Sequence, residues 1–396
     1  MRDLFLLFIS FCLLGCAAGS VEEASVSKTY RSISILDAPE TVSDQPLIKN
    51  MRIVSLETND DILMAGCNKV EFFESKYFVL DKQFSNLLVF DQDGNYLYRI
   101  GKLGGGPGEY QSIYGFELDL ENRNVLVYSL DNQAVFKYTL EGEYISKVTV
   151  DFYGFDFYLA SNGQYIFNSR YNNDGKYPQA SIFVTNADGK VQSNFFEYPN
   201  EATQMVMSMS GFSTVDGNKG YFNHAFSDTV YQFNLIDNTV EAAFGLSLGK
   251  DQWDKGFNFS KIFGGSFVEH NYLSSAARVR DGVLYFLYME SEVLPGQPGP
   301  GQTPKMARLS LEDNSLITSS THETEFILKY GIGIPKGFTN DGKLITSMTA
   351  NQLGLVQRNY PEAWEASEQR YPELLQIEKV LKDENNPVII TFEYGL

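Results

Sequence analysis

Cysteine and histidine are scarce in this chain, with 3 of each in 396 residues. Cys12 and Cys16 lie at the N-terminus and Cys67 stands alone further on, so no internal disulfide framework is expected. Neither Cys-x-x-Cys nor His-Glu-x-x-His occurs, which argues against a structural or protease-type zinc site. Cys67 reads as a small buried hydrophobe rather than a nucleophile. Positive charge is also short: 31 Lys and Arg face 50 Asp and Glu, a formal net charge of −19. Such a surface repels phosphate backbones, so nucleic acid is not expected as a partner. The apolar run Leu4 to Leu14, broken only by Ser10, is too short to cross a bilayer as a mature helix.

That run has the length of a signal-peptide core, and it ends in Leu13-Leu14-Gly15-Cys16, which resembles the bacterial lipobox. The n-region departs from the usual pattern, because Arg2 is partly cancelled by Asp3. The resemblance implies cleavage before Cys16 and a diacylglycerol on its thiol. Residues 1–15 are then a lipoprotein signal and 16–29 a tether. The mature chain is expected as an outer-membrane lipoprotein, periplasmic or surface-exposed, held to the membrane by the lipid on Cys16.

What the chain does have is aromatic residues and glycine: 24 Tyr, 30 Phe and 33 Gly. Aromatics suit pleated, half-buried surfaces, and glycine supplies the positive φ that tight hairpins need. The clearest unit runs Tyr77-Phe78-Val79-Leu80-Asp81, Leu87-Leu88-Val89-Phe90-Asp91, a turn at Asp93-Gly94, then Tyr96 to Ile100. Similar units follow, with turn residues Gly94, Gly142, Gly189 and Asn238 in steps of 48, 47 and 49. A steady period of this size, built of short antiparallel strands, is the signature of a propeller blade. A fifth unit holds Val283 to Phe286 and Ala307 to Leu311, separated by a Pro/Gly-rich stretch, Pro295–Pro304, that reads as an exposed loop. A sixth begins at Asp341-Gly342.

The expected fold is therefore all-β: a six-bladed propeller of four-stranded antiparallel blades over 30–396. A helical insertion is expected at about 361–383, where Leu374, Leu375, Ile377, Val380 and Leu381 have roughly helical spacing. The terminal strand Val388 to Phe392 is expected to complete the sixth blade beside Ile33–Leu36, Arg52–Leu56 or both, which hides open edges.

The segment Val89 to Leu97, followed by Ile100-Gly101-Lys102-Leu103-Gly104-Gly105-Gly106-Pro107-Gly108-Glu109-Tyr110, resembles the NHL repeat. More narrowly, the chain is similar to six-bladed propeller lipoproteins of Gram-negative gut anaerobes. Leu56-Glu57-Thr58, the Gly104–Tyr110 loop and Asn386-Pro387-Val388 match features that recur in them. The resemblance implies architecture and location rather than activity.

The glycine-rich loop lacks Lys-Ser/Thr after its last glycine and sits in no βαβ unit, so it reads as a blade connection and not a phosphate loop. Gly101, Gly104, Gly106, Pro107, Gly108, Glu109 and Tyr110 are its structural residues, with Glu109 satisfying backbone donors. Asp81 and Asp131 sit at matching places after the first strand of blades one and two, as turn caps or as channel ligands. His224 and His270 come from different units and are candidates to converge on a channel, and His322 has no ligand-like spacing. Trp253, in an apparent loop with Phe257 and Phe259, is a candidate stacking surface for a sugar or peptide.

No cofactor is expected. A calcium or zinc ion in the channel is the alternative, since NHL-type propellers include a peptide-amidating lyase with a zinc-bound channel. The function these features point to is a monomeric cell-envelope binding module for a peptide, glycan or partner protein. A hydrolase or lyase at the channel mouth is the alternative.

Overall fold

The structure is a computed structural model that describes residues 31–35, 48–172, 177, 179–198, 212–249, 251–252, 265–293, 299–318, 335–382 and 385–394. Six antiparallel sheets follow one another along the chain as six blades. Each unit expected from the sequence gains one strand at its start. These first strands are Lys69–Phe73, Gly115–Asp119, Asp156–Leu159, Ser213–Asp216, Tyr272–Arg280 and Gly337–Phe338. They are the innermost strands, and neighbouring ones approach one another around the axis. Direct bonds tie them: Val70 N donates to Lys336 O at 2.9 Å, and Val279 N to Thr214 Oγ1 at 3.1 Å.

The recurring turn explains its own residue choice. Gly94, Gly142, Gly189 and Asn238 all have positive φ, from +55° to +92°. Asparagine tolerates that conformation, and glycine adopts it freely. A second constraint acts on the glycines. A Cβ on Gly94 would lie 2.1 Å from Ser55 O, one on Gly142 3.0 Å from Arg99 O, and one on Gly189 2.4 Å from Thr149 O. Each turn therefore rests on the outer strand of the preceding blade. The period records blade-to-blade packing as well as hairpin geometry.

Between the blades lie six apolar clusters, one per interface, so the core is a ring of seams rather than a central mass. Phe78, Phe116 and Phe136 fill the seam of blades one and two. Phe157, Phe167 and Phe183 fill that of two and three. Their rings meet edge-on or stacked at 4.8–5.8 Å in the latter seam, arrangements that add to area burial.

The last blade closes the ring. Val388–Tyr394 pairs antiparallel with Leu344–Met348 on one side and with Ile48–Ser55 on the other. The other N-terminal strand, Arg31–Ser34, does not join this blade as one of the expected alternatives had it. It pairs in parallel with Thr239–Ser247 and becomes the fifth strand of blade four. Ile33 and Ile35 are buried in the blade four to five seam, which fixes it there.

Two further expectations are corrected. Pro300–Ser310 is a strand, paired residue for residue with Val283–Val293, so part of the Pro/Gly-rich stretch belongs to a long hairpin. Leu316–Thr318 pairs with Ala307–Leu309, so among the described residues no strand lies on the far side of Pro300 and Pro304, an edge position that tolerates proline. The helical part starts earlier than 361, as α1 (Ala350–Asn359), α2 (Pro361–Arg370) and α3 (Leu375–Val380). Thr349 caps α1 in a reciprocal capping box with Gln352, a signal overlooked in the sequence. The helices lie between the second and third strands of blade six and bury Leu353, Val356, Trp364 and Ile377 on it.

Candidate functional site

The inner strands enclose an axial cavity of 380 Å³. Its two ends differ. Where the inner strands begin, and where second strands end, the lining is charged: Lys69, Lys82, Asp156, Arg170 and Lys336, with Arg278 further along the channel, near the end of Tyr272–Arg280. Toward the other end Phe73, Leu118, Leu159 and Phe338 line it, together with Asp216 and Arg280. At the charged mouth a second cleft opens, bounded by Gly66, Cys67, Asp81, Lys82, Tyr114 and Lys336. Thr349 and Gln352 complete its wall, so the helical insertion is part of the mouth.

Some of these charges are paired. Lys69 Nζ lies 2.7 Å from Glu117 and 3.3 Å from Glu71, and also donates to Phe116 O at 2.8 Å. Arg170 grips Asp156 with Nε and an Nη at 2.9 and 2.8 Å, a two-pronged pair of good geometry. Three cations have no carboxylate at ion-pair distance among the described residues. Lys336 Nζ donates to Cys67 O and, at 3.0 Å, to Ser347 Oγ. Arg278 reaches only Ala277 O, at 2.9 Å. Lys82 Nζ lies 5.8 Å over the Tyr114 ring.

The electrostatics follow from this crowding. Burial pushes Lys82 down to about 8; Asp156 opposes this, and the charges of Arg170, Arg278 and Lys69 add to it. Lys336 is also lowered by burial, with Arg278 contributing. Burial pushes Glu117 up to about 7 against the pull of Lys69. Burial works to raise Asp156 too, but Arg170 outweighs it and holds the carboxyl below its ordinary range. Six cationic and four acidic side chains line the axial cavity, an excess of positive charge inside a chain whose net charge is −19.

Residues 31–393 match a family described as a domain of unknown function, DUF4934. The chain belongs to this family. Solved structures with the same fold include a candidate exported protein of Bacteroides fragilis, at 16% identity and TM-score 0.68, over 93% of this chain and all of that one. A DUF4221 protein of Bacteroides vulgatus matches at 12% identity and TM-score 0.54, over 88% of this chain and 97% of the other. Virginiamycin B lyase of Staphylococcus aureus is a more distant match, at 13% identity and TM-score 0.39 over 72% of this chain and 93% of that one, and it carries no argument about chemistry. No curated protein matches.

In this DUF4934 chain the residues singled out from sequence do not gather. Asp81 borders the mouth cleft, but it is 1% exposed and its oxygens accept from Ala65 N, Gln83 N and Phe84 N at 2.7–3.3 Å. It closes a turn. It ends the second strand of its blade, not the first, and its counterparts are Ser129, Asn168 and Asn223, all buried strand ends. Asp131 lies beyond that position and is exposed.

His224 does not reach the channel. It sits among Tyr171, Phe196, Phe222 and Tyr231, and burial pushes it down to about 4. His270 follows the 3-10 turn Ser266–Glu269 beside the long hairpin and lines neither the axial cavity nor the mouth cleft. Cys67 is buried behind the cleft, with its thiol pushed up to about 11 by burial despite Lys336. Cys16, Trp253, Phe257, Phe259 and His322 lie outside the described residues.

The glycine-rich loop joins blades one and two. Glu109 Oε2 accepts from Gly106 N at 2.8 Å, and an oxygen of the same carboxylate meets Lys102 at 3.1 Å. A Cβ on Gly104 would fall 2.1 Å from that carboxylate. Tyr110 donates to Ile100 O, and Tyr138 donates to Gly108 O, which pins Gly101 and Gly108 at positive φ. Among the described residues no group of three or more His, Cys, Asp or Glu is arranged to hold a metal.

Sequence reading overlooked the mouth itself. Its residues come from five blades, and no local motif unites them. One signal was present: Lys69-Val70-Glu71 and Phe116-Glu117-Leu118 set charge inside otherwise apolar strands. In a propeller such positions face the axis.

Proposed function

We propose that the protein is an exported, lipid-anchored binding module of the cell envelope, whose ligand enters the charged mouth of the propeller. The observation that carries this reading is the convergence of Lys82, Arg278 and Lys336 on one cavity without carboxylate partners among the described residues. Desolvated charge of one sign is unfavourable for folding, so its presence at a concave opening argues for use in recognition. The paired Lys69–Glu117 and Arg170–Asp156 bridges hold the surrounding wall in one geometry. Support for export comes from the lipobox-like Leu13-Leu14-Gly15-Cys16 and from the description of the Bacteroides fragilis relative. Among the described residues no helix is long and apolar enough to cross a membrane. No particular observation favours the hydrolase or lyase reading.

The test uses the full chain, purified from membranes in detergent and applied to glycan and peptide arrays. Gly66 borders the cleft, and a Cβ there meets no neighbour within 4 Å, so Gly66→Trp is a blocking variant, with a melting curve to establish that it is folded. Binding that Gly66→Trp abolishes is the expected result. No binding on either array, or binding that survives the block, overturns the mouth as the recognition site. In the same cells Cys16→Ala should release the protein from the membrane fraction; retention would remove the lipid anchor from the reading.

A further inference from the structure

The lining of the mouth says what kind of ligand it suits. Three features bear on this. The first is the surplus of cations. Lys82 and Lys336 both border the axial cavity and the cleft, and Arg278 lies on the inner strand of blade five, close enough for its charge to act on both lysines. An anion at that point would satisfy Arg278 and the two lysines that it repels.

The second is what surrounds them. Glu71, Glu117 and Asp156 line the same cavity. They are acceptors, so they disfavour a ligand carrying charge on every side and favour one with hydroxyl donors beside a single anionic group. A guanidinium presents a planar fork matched to a carboxylate, and among the described residues Arg278 spends one donor, on Ala277 O. The third is size and field. A cavity of 380 Å³ admits one small molecule or one terminal residue of a larger one. The net charge of −19 opposes the approach of polyanions, while a single charge feels mainly the cations within a Debye length of about 8 Å.

We propose that the mouth is a binding site for a small hydroxylated monocarboxylate, free or as the terminal unit of a glycan. Lys82, Lys336 and Arg278 receive the carboxylate, and Glu71, Glu117 and Asp156 receive the hydroxyls. Tyr114, which borders both cavities, offers a ring face to the ligand's carbon skeleton. This rests on the binding-module reading and narrows it to a charge class.

The probes are galacturonate, its neutral counterpart galactose, and inorganic phosphate, titrated calorimetrically into the full chain at low and high salt. Galacturonate should bind at least about tenfold more tightly than galactose, and Arg278→Gln and Lys82→Met should each weaken it about tenfold or more. High salt should weaken it too. Melting curves of the variants establish that they are folded. Failure of galacturonate to bind, equal affinity for galactose, or indifference to both substitutions overturns the anion site. Tighter binding of phosphate overturns the carboxylate assignment. A ligand from the arrays that Gly66→Trp blocks but the charge substitutions leave untouched would sink this inference while leaving the binding module standing. No ligand on any array would sink the parent reading.

Discussion

Replacing Lys82 by methionine should make the protein more stable at pH 7. Methionine keeps the length and the apolar stem of the side chain, so packing beside Tyr114 is largely retained. What disappears is a charge that the fold holds at a disadvantage. Burial brings Lys82 from 10.5 to about 8. A gap of that size corresponds to about 3 kcal/mol against the folded state whenever the lysine is charged in both states. Its pH dependence identifies the cause. Below about pH 8 the lysine is protonated in folded and unfolded chains alike, and the full penalty is present. Between about 8 and 10.5 the folded protein gives up the proton first, the unfolded chain binds more protons, and the penalty fades as pH rises. Wild type should therefore gain on the variant across that interval. Urea unfolding of both proteins at pH 7, at about pH 9 and near pH 10.5 measures the gap. A variant less stable than wild type at pH 7, or a gap that does not change with pH, would refute the reasoning.

Two further predictions concern how the ring is held. A Cβ on Gly337 would meet Val70 O at 1.5 Å, where the inner strands of blades six and one touch. Gly337→Ala should thus destabilise by about 3 kcal/mol or more, read by urea unfolding; a change below about 1 kcal/mol would mean that the two strands part easily. Asn386 is 1% exposed, donates to Glu57 O and Ile62 O at 2.7 and 2.9 Å, and accepts from Met64 N at 2.8 Å. Asn386→Ala leaves two buried backbone groups and one part-buried one unpaired and should cost about 3 kcal/mol. Asn386→Asp should rescue little, because it lacks the donors, and a full rescue would contradict this bonding pattern.

The blades were legible because their evidence is local and repeats. Gly94, Gly142, Gly189 and Asn238 announce a hairpin each, and the apolar strands beside them carry enough aromatic residues to stand out. The inner strands were not legible for the opposite reason. Asp156-Phe157-Tyr158-Leu159 and Ser213-Thr214-Val215-Asp216 are short and mix charge with apolar residues, since their environment is partly a channel. Asp131 misled because chain spacing was taken from a turn acid, whereas the structural counterpart of Asp81 is Ser129. The histidines misled because pairing across blades cannot be read along the chain: His224 faces an aromatic seam. Lys82, Arg170, Arg278 and Lys336 are separated by scores of residues, and only blade geometry brings them to one opening.

Asn386 also draws together two stretches that looked unrelated in the sequence. Its backbone N donates to Thr58 Oγ1 and its side chain to Glu57 O, so Leu56-Glu57-Thr58 and Asn386-Pro387-Val388 are two halves of one clasp. That clasp has a consequence in time. Synthesis delivers Ile48–Ser55 hundreds of residues before its partner Val388–Tyr394. Through most of the chain's emergence the early strand waits with an open edge, and five blades stand as an arc with no closing seam. The protein becomes a ring only when Val388–Tyr394 docks, so a chain that stops short of Asn386 is an unclosed arc with a sticky margin, marked out for proteolysis or capture by a chaperone.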